Sequence, residues 1–215
     1  MLIPISAKAF AEFVFGSPTK KSSTVRSILK PQSAEAQIPV AYYGRAIATI
    51  RGYHDKGNNH SFVAAELKKL EQEAESALTP QARTKKERNI LAIESYMKIF
   101  SNKKWKVVSC PKIHYSSSEV RISGKPDLAI KDGSRLRLIK LGVRKEKETS
   151  EMIRLMLRII YQAAKDKLEI KPQDIIYFDV KTGKATTGKT SDGDLATTID
   201  AGCADIQAMV GEKAG

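Results

Sequence analysis

Apolar and polar residues recur along this chain with two different periods, and the switch between them divides it. Up to about residue 100 the spacing is helical. Phe10, Phe13, Val14 and Phe15 form an apolar cluster that Gly16-Ser17-Pro18 closes as a turn. Val25, Ile28 and Leu29 follow at helical spacing. Residues 40–50 predict a helix that gives way to Gly52, and Asp55-Lys56-Gly57-Asn58-Asn59 has the composition of a loop. Phe62, Ala65, Leu67, Leu70, Ala74 and Leu78 stripe a helix over 61–78 that stops at Thr79-Pro80. Ile90, Ile93, Met97 and Phe100 stripe another, from about Lys85 to Phe100.

The middle third takes up the two-residue period of strands. Trp105 to Val108 is strand-like, and Ile113-His114-Tyr115 with Val120-Arg121-Ile122 predicts a hairpin around three serines. Leu128-Ala129-Ile130 and Arg135 to Lys140 predict a second hairpin, turning at Asp132-Gly133. A long helix over about 148–167 carries Met152, Leu155, Met156, Ile159, Ile160 and Ala163 on one face until Lys171-Pro172. Asp174 to Val180 reads as a buried strand turning at Thr182-Gly183. A last helix starts near Asp192 or Asp194 and runs through Ile199, Cys203, Ile206 and Met209. A strand–helix–strand unit with so long a crossover places its strands parallel. The predicted class is therefore α/β, a mixed central β-sheet flanked by helices. Residues 1–84 are expected to form an N-terminal helical region packed on a core of residues 85–215, one compact domain overall.

Composition narrows the functional classes. At 215 residues, 41% apolar and 28% charged, the chain has globular composition, well outside the disordered range. No apolar run reaches bilayer-spanning length, and the Met-Leu-Ile-Pro-Ile-Ser start lacks a basic leader, so a cytoplasmic location is the default expectation. Cys110 and Cys203 are too few for a disulfide framework or a cysteine zinc site. His54, His60 and His114 have no metal-ligand spacing. Lysine and arginine number 37 against 24 acids, a formal charge of +13. Such an excess favours a polyanionic partner, since each neutralised phosphate releases counterions. Nucleic acid is the expected partner, and a membrane is not, because no basic helix has an aromatic apolar face. The oligomeric state stays open, a homodimer included.

One hairpin carries candidate chemistry. Asp127 opens its first strand and Lys140 nearly ends its second, so a carboxylate and an ammonium can meet at one point. Metal-dependent phosphodiesterases use that combination, the acid for the cation and the lysine for water or phosphate. Strand alternation puts Leu136, Leu138 and Lys140 on one face.

Pro126-Asp127 followed by Leu138-Ile139-Lys140 resembles the signature of the PD-(D/E)xK nuclease superfamily, over about residues 85–185. The departure is Leu138, where the superfamily has an acid. The resemblance implies a restriction endonuclease-like core with an N-terminal helical extension. It also implies phosphodiester hydrolysis of nucleic acid, DNA more than RNA, with Mg²⁺ or Mn²⁺. Asp127 would hold the metal, and Lys140 would position water or stabilise the phosphate. With leucine at 138, either another acid completes the metal site or cleavage has been lost, leaving a fold-mate that binds nucleic acid or a partner.

Two acids are candidates for that role. The superfamily commonly places a glutamate on the helix before the first core strand, which points to Glu94. Its alternative is an i+4 pair with Lys98. Glu151 stands 11 residues beyond Lys140 in the first turn of the long helix, where some restriction endonucleases of the superfamily carry a migrated carboxylate. Its alternatives are the helix dipole and Arg154. Glu146 and Glu148 are lesser candidates in the preceding loop. For nucleic-acid contact, Lys125 adjoins the pair. Arg154, Arg158, Tyr161 and Lys165 recur on one helix face opposite the apolar stripe. Lys20 and Lys21, with Arg26 and Lys30, make a basic arm that could equally be a solvated loop.

Overall fold

The switch of period near residue 100 is where helices give way to strands. The computed structural model describes residues 2–29, 42–142 and 148–214. After a first strand, β1 (Ile3–Ser6), come five helices: α1 (Ala7–Val14), α2 (Pro18–Leu29), α3 (Gly44–Asp55), α4 (His60–Glu75) and α5 (Pro80–Phe100). Side-chain oxygens of Ser6, Asn59 and Thr79 cap α1, α4 and α5, each satisfying an N–H that the first helical turn leaves unpaired. Pro80 lies in the first turn of α5, which needs no proline N–H, so this helix begins earlier than the expected Lys85. α3 runs through Gly52, where a break was expected. A Cβ there would meet the Phe62 ring at 2.7 Å, so the glycine serves close helix packing.

Five strands follow, β2 (Lys106–Val108), β3 (His114–Ser117), β4 (Val120–Ser123), β5 (Leu128–Asp132) and β6 (Arg135–Gly142). Then α6 (Ser150–Ala164) crosses to β7 (Ile175–Asp179) and β8 (Lys184–Thr187), and α7 (Leu195–Ala214) ends the chain. Both expected hairpins form, although the second turns at Gly133-Ser134, one residue later than expected, because Asp132 still pairs with Arg135; β6 and β7 are parallel as the crossover predicts. Ser118 and Gly133 take the positive φ that their tight turns require.

The protein is mixed α/β, but the strands form two mixed sheets where one central sheet was expected. A five-stranded sheet has the order β2-β5-β6-β7-β8, and a three-stranded sheet has the order β1-β4-β3. β1 is the reason. It pairs parallel with β4, Ile3 with Val120 and Ile5 with Ile122, at the start of a region expected to be helical. Four residues are too few for alternation to be read from sequence alone, and their partners lie more than a hundred positions away. β8 was likewise unread, since Lys184-Ala185-Thr186-Thr187 has no apolar face.

Alternation along β5, β6 and β7 sorts the apolar side chains into two layers. Ala129, Leu138, Ile175 and Tyr177 pack with α6, α1 and α7. Leu128, Ile130, Ile139, Leu141, Ile176 and Phe178 pack with α3, α4 and α5. Asn89 of α5 holds the second layer at its margin: its side chain accepts from the Ala46 N–H and donates to the carbonyls of Tyr42 and Lys85. His54 is a satisfied core histidine between Asn58 and Tyr96, at 2.8 and 2.9 Å. Burial lowers its pKa below the ordinary value, keeping it neutral.

Candidate functional site

At the mouth of the β5–β6 hairpin, Asp127 and Lys140 meet. The Lys140 ammonium lies 3.0 Å from Asp127 Oδ2 and donates to Oδ1 at 3.2 Å. The Leu141 N–H donates to Oδ2 at 2.8 Å, and the Asp127 N–H donates to the Ile139 carbonyl at 2.9 Å. Backbone and side chain together fix this carboxylate across the end of β6. Both groups keep about a quarter of their side-chain surface, 22% for Asp127 and 27% for Lys140. Arg51 of α3 braces the corner, donating to Cys110 Sγ at 3.0 Å and to the Asp127 carbonyl at 3.3 Å.

The other candidate acids lie elsewhere. Leu138 is fully buried in the α6 layer, paired with Ala129 and Ile175, so its position faces apolar side chains and not a cation cavity. Glu94 is exposed on α5, whose core residues cover the face of Ile139 and Leu141, opposite that of Lys140. Glu151 is exposed in the first turn of α6, where backbone and Thr149 hydrogen bonds hold its carboxyl below the ordinary range. Glu146 lies outside the described residues.

Glu148 is the acid that the fold does gather in. Its side chain is buried, forms an ion pair with Lys8 of α1, and accepts from the Tyr177 hydroxyl at 2.6 Å. Burial pushes this carboxyl up, but the hydrogen bonds from Lys8 and Tyr177 and the lysine charge outweigh it, so its pKa falls below the ordinary value. Tyr177 stands beside Lys140 in the parallel β6–β7 register. Its hydroxyl occupies the space where a Cβ on Gly142 would stand, so glycine is required there. Burial, then the bond to Glu148, raises the Tyr177 pKa.

These donors do not fit a resident divalent cation. Mg²⁺ and Mn²⁺ require several carboxylate or water oxygens. Asp127 offers one carboxylate already held by Lys140 and Leu141. No group of three or more His, Cys, Asp or Glu among the described residues is placed to hold a metal.

No family model matches this chain, and no curated protein matches it significantly.

The expected nucleic-acid face of α6 is partly engaged within the protein. Arg154 pairs with the buried Asp192 at 2.7 Å, drawn in by the turn at 190–194, while keeping 42% of its side-chain surface. Arg158 stacks over Tyr161 at 5.4 Å, and its Nε is buried. Lys165 is exposed. The basic arm is likewise a folded helix. Lys20 pairs with Glu12 at 3.0 Å, and Lys21 reaches Asp205 at 3.4 Å while lying over the Phe13 ring. Lys30 lies outside the described residues.

Lys125 is exposed and leads to a feature that sequence reasoning missed. Its carbonyl accepts from Lys140 at 3.4 Å, and it lines a cavity of about 650 Å³ bordered by β1, the β3–β4 hairpin and residues 110–113. Pro4 and Pro111 give this groove apolar surface above the buried Ile5 and Ile113, Lys112, His114 and Arg121 join Lys125 around it, and none of its described lining residues is acidic. Arg121 donates to His114 Nδ1 at 3.1 Å; since arginine can only donate, that nitrogen is the acceptor of a neutral ring. Partial desolvation, then the charges of Arg121 and Lys167, lower the His114 pKa. Arg121 had a sequence signal, an exposed cation between two buried strand residues. Lys112 and β1 had none.

Among the described residues, no helix is long and apolar enough to cross a membrane.

Proposed function

We propose that this protein binds nucleic acid through a PD-(D/E)xK-like hairpin that no longer cuts by a metal-dependent route. The observation that carries this reading is Leu138. The position where a second acid would face Lys140 is occupied by a buried leucine packed under α6. Leu138 therefore supplies cohesion to the core, and the Asp127–Lys140 pair closes the hairpin mouth. The net charge of +13 supports a polyanionic partner.

The test combines Mn²⁺ titration calorimetry with cleavage assays on single- and double-stranded DNA and RNA in Mg²⁺ or Mn²⁺. The expected result is binding with steep salt dependence, no stoichiometric Mn²⁺ uptake and no cleavage. A second reading, a metal-dependent phosphodiester hydrolase, is favoured by one observation, the 3.0 Å apposition of Asp127 and Lys140. Cutting that requires Mn²⁺ and disappears in both Asp127→Ala and Lys140→Ala would replace the first reading with the second.

A further inference from the structure

The groove bordered by β1, the β3–β4 hairpin and residues 110–113 has a different character from the rest of the basic surface. Elsewhere several candidate cations are paired with acids, Arg154 with Asp192, Lys20 with Glu12 and Lys21 with Asp205. In the groove, the exposed cations Lys112, Arg121 and Lys125 stand with His114 around apolar surface that includes Pro4 and Pro111, and no acid is among its described lining residues. Cations therefore meet apolar surface in one concavity of about 650 Å³.

An occupant must present negative charge along one edge and apolar surface along the other. A duplex turns its bases inward and offers only its phosphate exterior, which would leave the Pro4 and Pro111 surface uncovered and could not enter a cavity of this size. A single strand exposes both phosphates and base faces, and positively charged grooves track such strands. We propose that this groove is a single-strand nucleic-acid site, with Lys112, Arg121 and Lys125 contacting successive phosphates and Pro4 and Pro111 lying under sugars or bases. Its far end meets the Asp127–Lys140 corner through the Lys125 carbonyl. No Phe, Tyr or Trp is among its described lining residues, so the phosphates carry the affinity. The proposal rests on the nucleic-acid reading above and names the surface and the strandedness.

The test is fluorescence anisotropy with labelled oligo-dT, oligo-U and a DNA duplex of equal length, each titrated at several salt concentrations. Lys112→Ala/Arg121→Ala/Lys125→Ala is compared with Lys68→Ala/Lys69→Ala/Lys98→Ala, which removes the same charge from α4 and α5. All six side chains are exposed, so both variants are expected to fold, and circular dichroism checks this. The groove variant should bind the single strands at least about tenfold more weakly and flatten the salt slope by about 2, while the control changes little. Oligo-dT against oligo-U reports which sugar is preferred, and either preference upholds the site. Equal losses in both variants, or tighter binding of duplex than of single strand, overturn the groove but leave the nucleic-acid reading standing. Polyglutamate bound as tightly as oligonucleotide overturns the groove in favour of an acidic protein partner. No binding of any nucleic acid by the unaltered protein ends the functional reading itself.

Discussion

Two lysine–carboxylate pairs stand near the same end of the five-stranded sheet, and their surroundings give them different work. Glu148 and Lys8 are enclosed, with 8% and 19% of their side chains exposed, and a tyrosine hydroxyl completes the carboxylate's shell. Asp127 and Lys140 keep more contact with water and lie beside the basic groove. The enclosed pair ties α1 and the approach to α6 onto β7, so breaking it leaves a buried charge without its partner. The open pair contributes little stability because water screens it, and its groups stay accessible to an incoming ligand. Burial therefore separates a structural pair from a candidate site, although residue types and distances in the two are similar.

The sharpest way to break this comparison is to put the missing acid back. Leu138→Glu should lower unfolding stability by about 4 kcal/mol, because a charge enters an apolar layer without a partner. Urea denaturation measures this. Mn²⁺ should recover none of the loss, because position 138 faces the apolar α6 layer. Full stability without metal would mean that position 138 opens onto the site after all.

Glu148→Ala should cost about 3 kcal/mol by removing the shared acceptor of the Lys8 ammonium and the Tyr177 hydroxyl. The same residue sets an acid limit. Its folded pKa lies below the ordinary 4.5, so its stabilisation is complete above that value and is lost as pH falls through the lower folded one. Thermal melts between pH 6 and about 3 should show that decline. Glu148→Gln should flatten it, and an unchanged slope would remove Glu148 from the account. Tyr177→Phe removes one hydrogen bond to a charged acceptor and should cost about 1.5 kcal/mol by urea denaturation. The smallest effect belongs to the open pair. Asp127→Asn should cost under about 1 kcal/mol and shrink further in high salt. A loss as large as that of Glu148→Ala would erase the distinction between the two pairs.

Much of the fold was legible because its cues are local. The helical stripes of α4, α5 and α6 and the serine-rich turn each declare themselves within a dozen residues. The second hairpin was legible as a hairpin, but a two-residue Asp132-Gly133 turn would set Asp127 opposite Leu138; the observed turn at Gly133-Ser134 pairs Asp132 with Arg135 and so brings Lys140 level with Asp127. Glu94 could not be placed this way. Its helix position was readable, but which face of the sheet α5 covers depends on packing between elements remote in sequence. Arg154, Arg158, Tyr161 and Lys165 share a helix face by spacing, yet Asp192, 38 residues further on, takes up the first of them. Periodicity tells which residues share a face and not what covers it.

The sequence by itself determined the α/β class, the parallel crossover, the hairpin that carries Asp127 and Lys140, though not its register, and the positive charge. Each follows from backbone periodicity, turn chemistry or counting, which act over short stretches or over the whole composition. Only the tertiary structure decided that β1 crosses the molecule to make a second sheet, that Leu138 is sealed under α6, that Glu148 is the acid drawn inside, and that Lys112, Arg121 and Lys125 share one groove. Those outcomes depend on which apolar surfaces bury one another across more than a hundred residues. Side chains become neighbours there through packing of whole layers, a constraint that no local pattern encodes.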